Sequence, residues 1–90
     1  PAPGRGAAAA PYEDDRVFMA WSANVDLQMD ADPYVKPLPI RGTVATREYM
    51  ARLHAAYRHQ ITPDALVAWL LERYPGQRYE AEFIAHRLPR

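Results

Sequence analysis

Two amphipathic helices are encoded by the stretch Thr62–Leu88, which reads TPDALVAWLLERYPGQRYEAEFIAHRL. Its first residues form a helix start: Thr62 can cap, Pro63 loses nothing at the first helical position, and Asp64 suits the positive helix end. Apolar residues then recur at helical spacing, namely Leu66, Val67, Trp69, Leu70, Leu71 and Tyr74. This stripe covers more than half of the circumference, which predicts a helix at the centre of a core.

Two further helices flank this central one. After Pro75 and Gly76, the C-terminal helix carries an apolar stripe of Tyr79, Phe83, Ile84 and Leu88. Before Thr62, a helix that starts at Thr43 or Thr46 carries Tyr49, Met50, Leu53, Ala56, Tyr57 and Ile61. Because the connections are short, the three stripes can close on one core. Residues 43–90 are therefore predicted to form a compact three-helix domain.

Residues 16–30 follow a different pattern. Every odd position from 17 to 29 is apolar: Val17, Met19, Trp21, Ala23, Val25, Leu27 and Met29. A period of two predicts a strand. A helix is the alternative, because Phe18, Trp21, Val25 and Met29 also lie near one helical face that Asp15 could cap. We predict an α+β fold, predominantly helical, in which an N-terminal extended arm with one amphipathic strand precedes the three-helix unit.

The remaining N-terminal residues suggest little regular structure. Residues 1–15 are predicted to be a flexible tail, because PAPGRGAAAAP at residues 1–11 offers no large apolar group to offset the entropy of ordering. Residues 16–42 are predicted to form the strand and a proline-rich extended arm. Pro33, Pro37 and Pro39 lack backbone donors, which confines Tyr34–Ile40 to a sheet edge or a polyproline-like path.

Composition narrows the class of protein. The chain has 90 residues, no cysteine, and 11 basic and 11 acidic residues, giving a formal net charge of zero. It can therefore form one domain without disulfides, and it lacks the broad positive field of a protein held to phosphates. The longest apolar run, Val17–Trp21, is far shorter than the roughly 20 residues of a membrane-spanning helix. We predict a small soluble cytoplasmic protein with no membrane contact.

The sequence contains no recognisable catalytic motif. The three histidines are His54, His59 and His86, and none lies four residues from another on one helix, as a helical metal pair requires. The glycines are isolated among turn residues and form no phosphate loop. Asp30 and Asp32 precede Pro33 and are interpreted as turn formers. We expect no enzyme activity, no cofactor and no metal.

Nucleic acid is a less favoured partner. Three helices with short turns also build small helix-turn-helix or winged-helix-like DNA-binding regulators, in which Arg47, Arg52 and Arg58 would contact phosphates. However, the central helix is too apolar to be a recognition helix, and the last helix begins with Glu80 and Glu82. A DNA-binding regulator remains an alternative.

The stretch Thr62–Leu88 also resembles the last two helices of small winged-helix, peptide-binding domains of the PqqD type. The similarity consists of the spacing of Leu66, Val67 and Ala68, then Leu70 or Leu71, then Arg73-Tyr74-Pro75, followed by a short amphipathic helix. It covers under a third of the chain, and residues 16–42 depart from the family's strand pattern. The resemblance implies a peptide-binding accessory domain with a short sheet beside the helices. A structural subunit of a larger assembly is a further alternative.

The function that the sequence favours is a non-catalytic protein-interaction or adaptor module. An amphipathic strand and a proline-rich segment leave backbone groups that a protein partner, or a second copy of the chain, could satisfy. The candidate partner-binding residues are apolar or aromatic residues of the arm and arginines of the next helix: Trp21, Val25, Leu27, Tyr34, Val35, Leu38, Arg47, Arg52 and Arg58.

Overall fold

Five α-helices account for the regular structure of the computed structural model, which describes residues 11–90. They are α1 (Pro11–Asp14), α2 (Arg16–Ala31), α3 (Gly42–Tyr57), α4 (Pro63–Arg73) and α5 (Arg78–Ala85). Residues 32–41, here named the connecting segment, join α2 to α3. No strand occurs among the described residues, so the fold is all-α and the predicted α+β class is wrong.

The amphipathic strand predicted at residues 16–30 is helix α2. The side chain of Asp15 accepts a hydrogen bond from the backbone N–H of Phe18 at 3.1 Å and so caps the helix. The buried residues of α2 are Phe18, Ser22, Val25 and Met29, which share one helical face. A helix pairs its own backbone groups, whereas a strand here would have needed the proline-limited segment 34–40 as partner. Backbone hydrogen bonding within a helix is therefore more favourable here than the strand that the alternating pattern predicts.

The alternation misled because the outward face of α2 is also partly apolar. Val17 is 70% exposed and Leu27 is 67% exposed, although both belong to the period-two series. Ser22 is polar in the sequence but buried, and its hydroxyl donates to the carbonyl of Met19 at 3.1 Å. The strand prediction assumed that the apolar odd positions are buried and that the polar even positions are exposed. These three residues do the opposite.

The core draws on α2 as well as on the three C-terminal helices. Its largest fully buried side chains are Phe18 of α2, Leu53 of α3, Leu66 and Leu70 of α4, and Ile84 of α5. Phe18 lies edge-on to Tyr57 with ring centroids 5.3 Å apart. The extended arm predicted to start at residue 16 is therefore wrong for residues 16–31, which form part of the core.

The three helices predicted between Thr46 and Leu88 are present as α3, α4 and α5, which confirms a compact helical domain. At the start of α4, Thr62 Oγ1 accepts from the N–H of Ala65 at 3.0 Å. After α4 the chain turns at Gly76, whose φ of 88° lies in the left-handed region where a side chain is disfavoured. The start of α4 at Thr62 is thus as predicted. The predicted start of α3 at Thr43 or Thr46 is wrong, because the helix begins at Gly42 after Arg41, which makes no side-chain cap hydrogen bond, and it ends at Tyr57, before Ile61.

Helix α1 falls within residues 1–15, the predicted flexible tail. Tyr12 of α1 is 9% exposed and belongs to the hydrophobic core. Residues 1–10 lie outside the described part of the chain. The short sheet implied by the PqqD-type resemblance is not found within residues 11–90.

Asp15 ties α2 to α3. Besides capping α2, its Oδ2 lies 3.0 Å from His54 Nε2 and 3.1 Å from Arg58 Nε. The hydrogen bond with His54, and next the one from the Phe18 N–H, hold the pKa of Asp15 below its usual value. The ionised carboxylate is therefore the form that the fold stabilises.

This pairing predicts acid sensitivity. Because the pKa of Asp15 is lower in the folded state than its usual value of 3.8, its contribution to stability is complete above that value and is lost as pH falls through the folded-state pKa. We expect the free energy of unfolding to fall more steeply between about pH 5 and pH 2 in the wild type than in Asp15→Asn. Urea titrations at successive pH values measure this, and parallel pH profiles would contradict the assignment.

Candidate functional site

A cleft of about 590 Å³ opens between the C-terminal half of α2, the connecting segment and the N-terminal half of α3. We name it the α2–α3 cleft. Its lining residues come from all three elements: Asp26, Met29 and Asp30; Asp32, Val35, Pro37, Leu38 and Ile40; and Thr46, Tyr49 and Met50. The volume lies within the range of about 300 to 1,000 Å³ that is typical of ligand pockets.

Apolar side chains form the floor of the cleft. Met29 belongs to the hydrophobic core, and Val35, Leu38 and Met50 pack against that core while staying partly exposed. Methionine is unbranched and polarizable, so it adapts to the shape of different ligands. The floor therefore offers an adaptable apolar surface that is continuous with the core.

Carboxylates form the rim. Every charged residue that lines the α2–α3 cleft is acidic: Asp26, Asp30 and Asp32. Burial, and next the neighbouring charge of Asp30, raise the pKa of Asp26. No ion pair joins Asp26 or Asp30 to a basic residue among residues 11–90. The negative charge at this end of α2 is therefore not neutralised by the described part of the chain.

Asp32 plays a different role from the other two aspartates. Its Oδ2 accepts a hydrogen bond from the Tyr79 hydroxyl at 2.6 Å, and its Oδ1 accepts from the N–H of Tyr34 at 2.7 Å. The bond from Tyr79, and then the one from Tyr34, lower the pKa of Asp32. Asp32 is thus a turn former, as its position before Pro33 predicts, whereas Asp30 lies within α2.

Tyr49 adds a polar group to the apolar wall of α3. Burial, followed by the charge of Asp26, raises the pKa of its hydroxyl far above its usual value. No hydrogen bond joins this hydroxyl to another side chain or backbone group within the described residues 11–90. A protonated phenol beside carboxylates can donate to or accept from a bound molecule.

Helix α5 holds the connecting segment in place. The Lys36 N–H donates to Glu80 Oε2 at 2.7 Å, and Gln77 Nε2 donates to the Lys36 carbonyl at 3.1 Å. Glu80 is only 3% exposed. The prolines cannot form regular backbone pairs, so the side chains of Glu80 in α5 and of Gln77, the residue before α5, satisfy the backbone instead. The outer wall of the cleft is thereby fixed although it has no regular secondary structure.

The structure separates the predicted partner-binding residues of the N-terminal half into three groups. Val35 and Leu38 line the α2–α3 cleft. Leu27 and Tyr34 are 67% and 76% exposed and do not line it. Trp21 and Val25 pack in or against the core, and the Trp21 indole N–H donates to the Arg87 carbonyl at 2.9 Å. Two of the six thus fall within one concave surface.

The three arginines predicted on α3 have different surroundings. Arg58 pairs with Asp15. The Arg52 guanidinium lies 5.4 Å from the centre of the Trp69 ring, on whose surface Arg73 also lies at 4.8 Å. Arg47 is exposed. None of the three lines the α2–α3 cleft. Arg52 contacts α4 through Trp69, whereas Arg58, the residue after α3, contacts Asp15 at the start of α2.

The acidic and apolar residues by which α2 and α3 line the cleft were not predicted as a site from the sequence. Asp26, Met29 and Asp30 share a helical face only when residues 16–31 form a helix, so the strand prediction hid their proximity. Tyr49 and Met50 were predicted to belong to the core stripe of α3, and both are partly buried against the core. The helical alternative for residues 16–30 contained the signal that could have located the acidic rim.

No group of three His, Asp or Glu side chains within residues 11–90 is arranged to hold a metal ion. No helix in the described residues has both the length and the apolar character needed to cross a membrane.

Comparisons of the chain with protein-family models, with curated proteins and with solved structures give no match.

Proposed function

We propose that the chain is a non-catalytic protein-interaction module that binds a segment of a partner protein in the α2–α3 cleft. The observation that carries the proposal is the combination of an apolar floor with unneutralised carboxylates in an open cleft of about 590 Å³. Such sites orient a ligand with a few polar groups and bind it through apolar contact.

The walls of the cleft are held in place by the rest of the fold, which supports this function. Two walls are helices of the core, and the third is the connecting segment, which is held by Glu80 of α5 and by Gln77, the residue before α5. A site whose walls are fixed before binding loses less conformational freedom when a ligand enters. A peptide laid along the connecting segment would contact Val35 and Leu38, the residues that sequence analysis placed in a partner surface.

A selected peptide and a blocked cleft test the proposal. Peptides are selected from a random library displayed on phage, with the full chain as target. Thr46 is exposed at the cleft, so Thr46→Trp fills the cleft without altering the core, and Thr43→Trp is the matched control on the same helix. Exposed substitutions of this kind change stability by about 0.5 kcal/mol or less.

We expect the selected peptides to bind the wild type and Thr43→Trp alike and to bind Thr46→Trp at least about tenfold more weakly, a loss of about 1.4 kcal/mol. The affinities are measured by isothermal titration calorimetry. The proposal fails when no peptide is enriched over the library, or when the enriched peptides bind Thr46→Trp as well as they bind the wild type.

A further inference from the structure

We propose that the partner segment is basic and amphipathic, with an apolar side chain on the cleft floor next to a lysine or arginine that contacts Asp26 and Asp30. This inference rests on the proposed function of the α2–α3 cleft and names the chemistry of its ligand. The occupant is a peptide segment of another protein, and its recognition follows from charge complementarity.

The charge of the cleft has a single sign. Asp26, Asp30 and Asp32 are its charged lining residues, and Asp32 is already engaged by Tyr79. The cleft between α4 and α5 provides a contrast, because its rim carries Arg78 and His86 as well as Asp64 and Glu82. There Arg78 pairs with Glu82 at 3.2 Å. The α2–α3 cleft therefore carries carboxylates alone, whereas the cleft between α4 and α5 carries basic groups beside its two carboxylates.

The spacing of the carboxylates favours a cation between them. Asp26 and Asp30 are one helical turn apart, an arrangement in which like charges repel. Burial, and next the charge of Asp30, both disfavour the ionised form of Asp26. A lysine or arginine placed between the two carboxylates removes this repulsion and gains charge-assisted hydrogen bonds. An acidic or neutral segment gains neither.

The apolar floor requires more than a cation. Val35, Leu38 and Met50 leave apolar surface open to the cleft, and that surface is removed from water only by an apolar side chain. The Tyr49 hydroxyl, which has no hydrogen bond to the rest of residues 11–90, is available to a ligand's backbone or polar side chain as donor or acceptor. Together the floor and rim select a segment in which basic and apolar residues alternate or are adjacent.

The experiment uses the peptides selected on the full chain and a double variant, Asp26→Asn with Asp30→Asn. The matched control is Glu13→Gln with Glu72→Gln, which makes the same change in net charge at exposed positions outside the cleft. We expect the enriched peptides to carry lysine or arginine beside a large apolar residue. Their dissociation constants should rise about 3- to 10-fold for the aspartate variant and stay unchanged for the control.

Salt dependence gives a second readout. Raising the ionic strength from about 0.05 M to about 0.5 M should weaken binding to the wild type more than binding to the aspartate variant. Enriched peptides that lack basic residues, or equal binding to the wild type and the aspartate variant, would overturn this inference. Loss of binding to Thr46→Trp would still support the proposed function in that case, so the two failures are distinguishable. Failure to enrich any peptide would overturn both.

Discussion

Replacing Phe18 with alanine is expected to lower the free energy of unfolding by about 3 to 5 kcal/mol, because a large aromatic side chain is removed from a closely packed core. The Phe18 side chain is 0% exposed and contacts the rings of His54 and Tyr57 on α3, with centroids 4.7 and 5.3 Å away. Small domains have a total stability of only about 5 to 15 kcal/mol, so this loss leaves a marginal fold.

Leu27 provides the control on the same helix. It is 67% exposed, and Leu27→Ala should change the free energy of unfolding by about 0.5 kcal/mol or less. Urea denaturation followed by circular dichroism measures both variants. If residues 16–31 were an arm apart from the core, the two substitutions would have similarly small effects, and that result would refute the placement of α2.

Replacing Glu80 with alanine is expected to release the connecting segment and to lower the free energy of unfolding by about 1.5 to 3 kcal/mol, the range for a hydrogen bond to a charged group. The buried Glu80 carboxylate accepts the Lys36 N–H at 2.7 Å. Without this acceptor, the Lys36 amide should exchange its hydrogen faster and the wall of the α2–α3 cleft should become less ordered.

Two variants separate this effect from general changes in α5. Glu80→Gln keeps a carbonyl acceptor of the same length and should retain most of the protection of the Lys36 amide. Glu82→Ala removes the partner of Arg78, an ion pair whose side chains are about half exposed or more, which should matter little. Unchanged exchange of the Lys36 amide in Glu80→Ala would show that α5 does not hold the connecting segment.

The sequence predicted the C-terminal helices well because their signals are local. Thr62, Pro63 and Gly76 specify a start and an end within a few residues, and each acts through the backbone next to it. The prediction for residues 16–31 depended instead on which of their apolar side chains would be buried. Val17 and Leu27 are as apolar as Val25, and only the packing of α2 against the rest of the core decides which of them is covered.

The candidate site was predicted only in part for the same reason. Val35 and Leu38 could be predicted as candidate partner-binding residues because prolines flank them and leave them in a segment without regular backbone hydrogen bonds. Asp26 and Asp30 could not be assigned to a common rim while the helical period of α2 was unsettled. The contact between Lys36 and Glu80 spans 44 residues along the chain, and no local pattern signals a pairing of that length.

Amide hydrogen exchange of the full chain, followed by NMR, shows directly whether α2 belongs to the core and frames the α2–α3 cleft. Buried helices exchange only through large opening events, whereas an unpacked arm exchanges freely. We predict that the amides of Val25 and Met29 are protected to a degree comparable with those of Leu66 and Leu70. Rapid exchange throughout residues 18–29 alongside protected amides in α4 would show that α2 is not packed into the core.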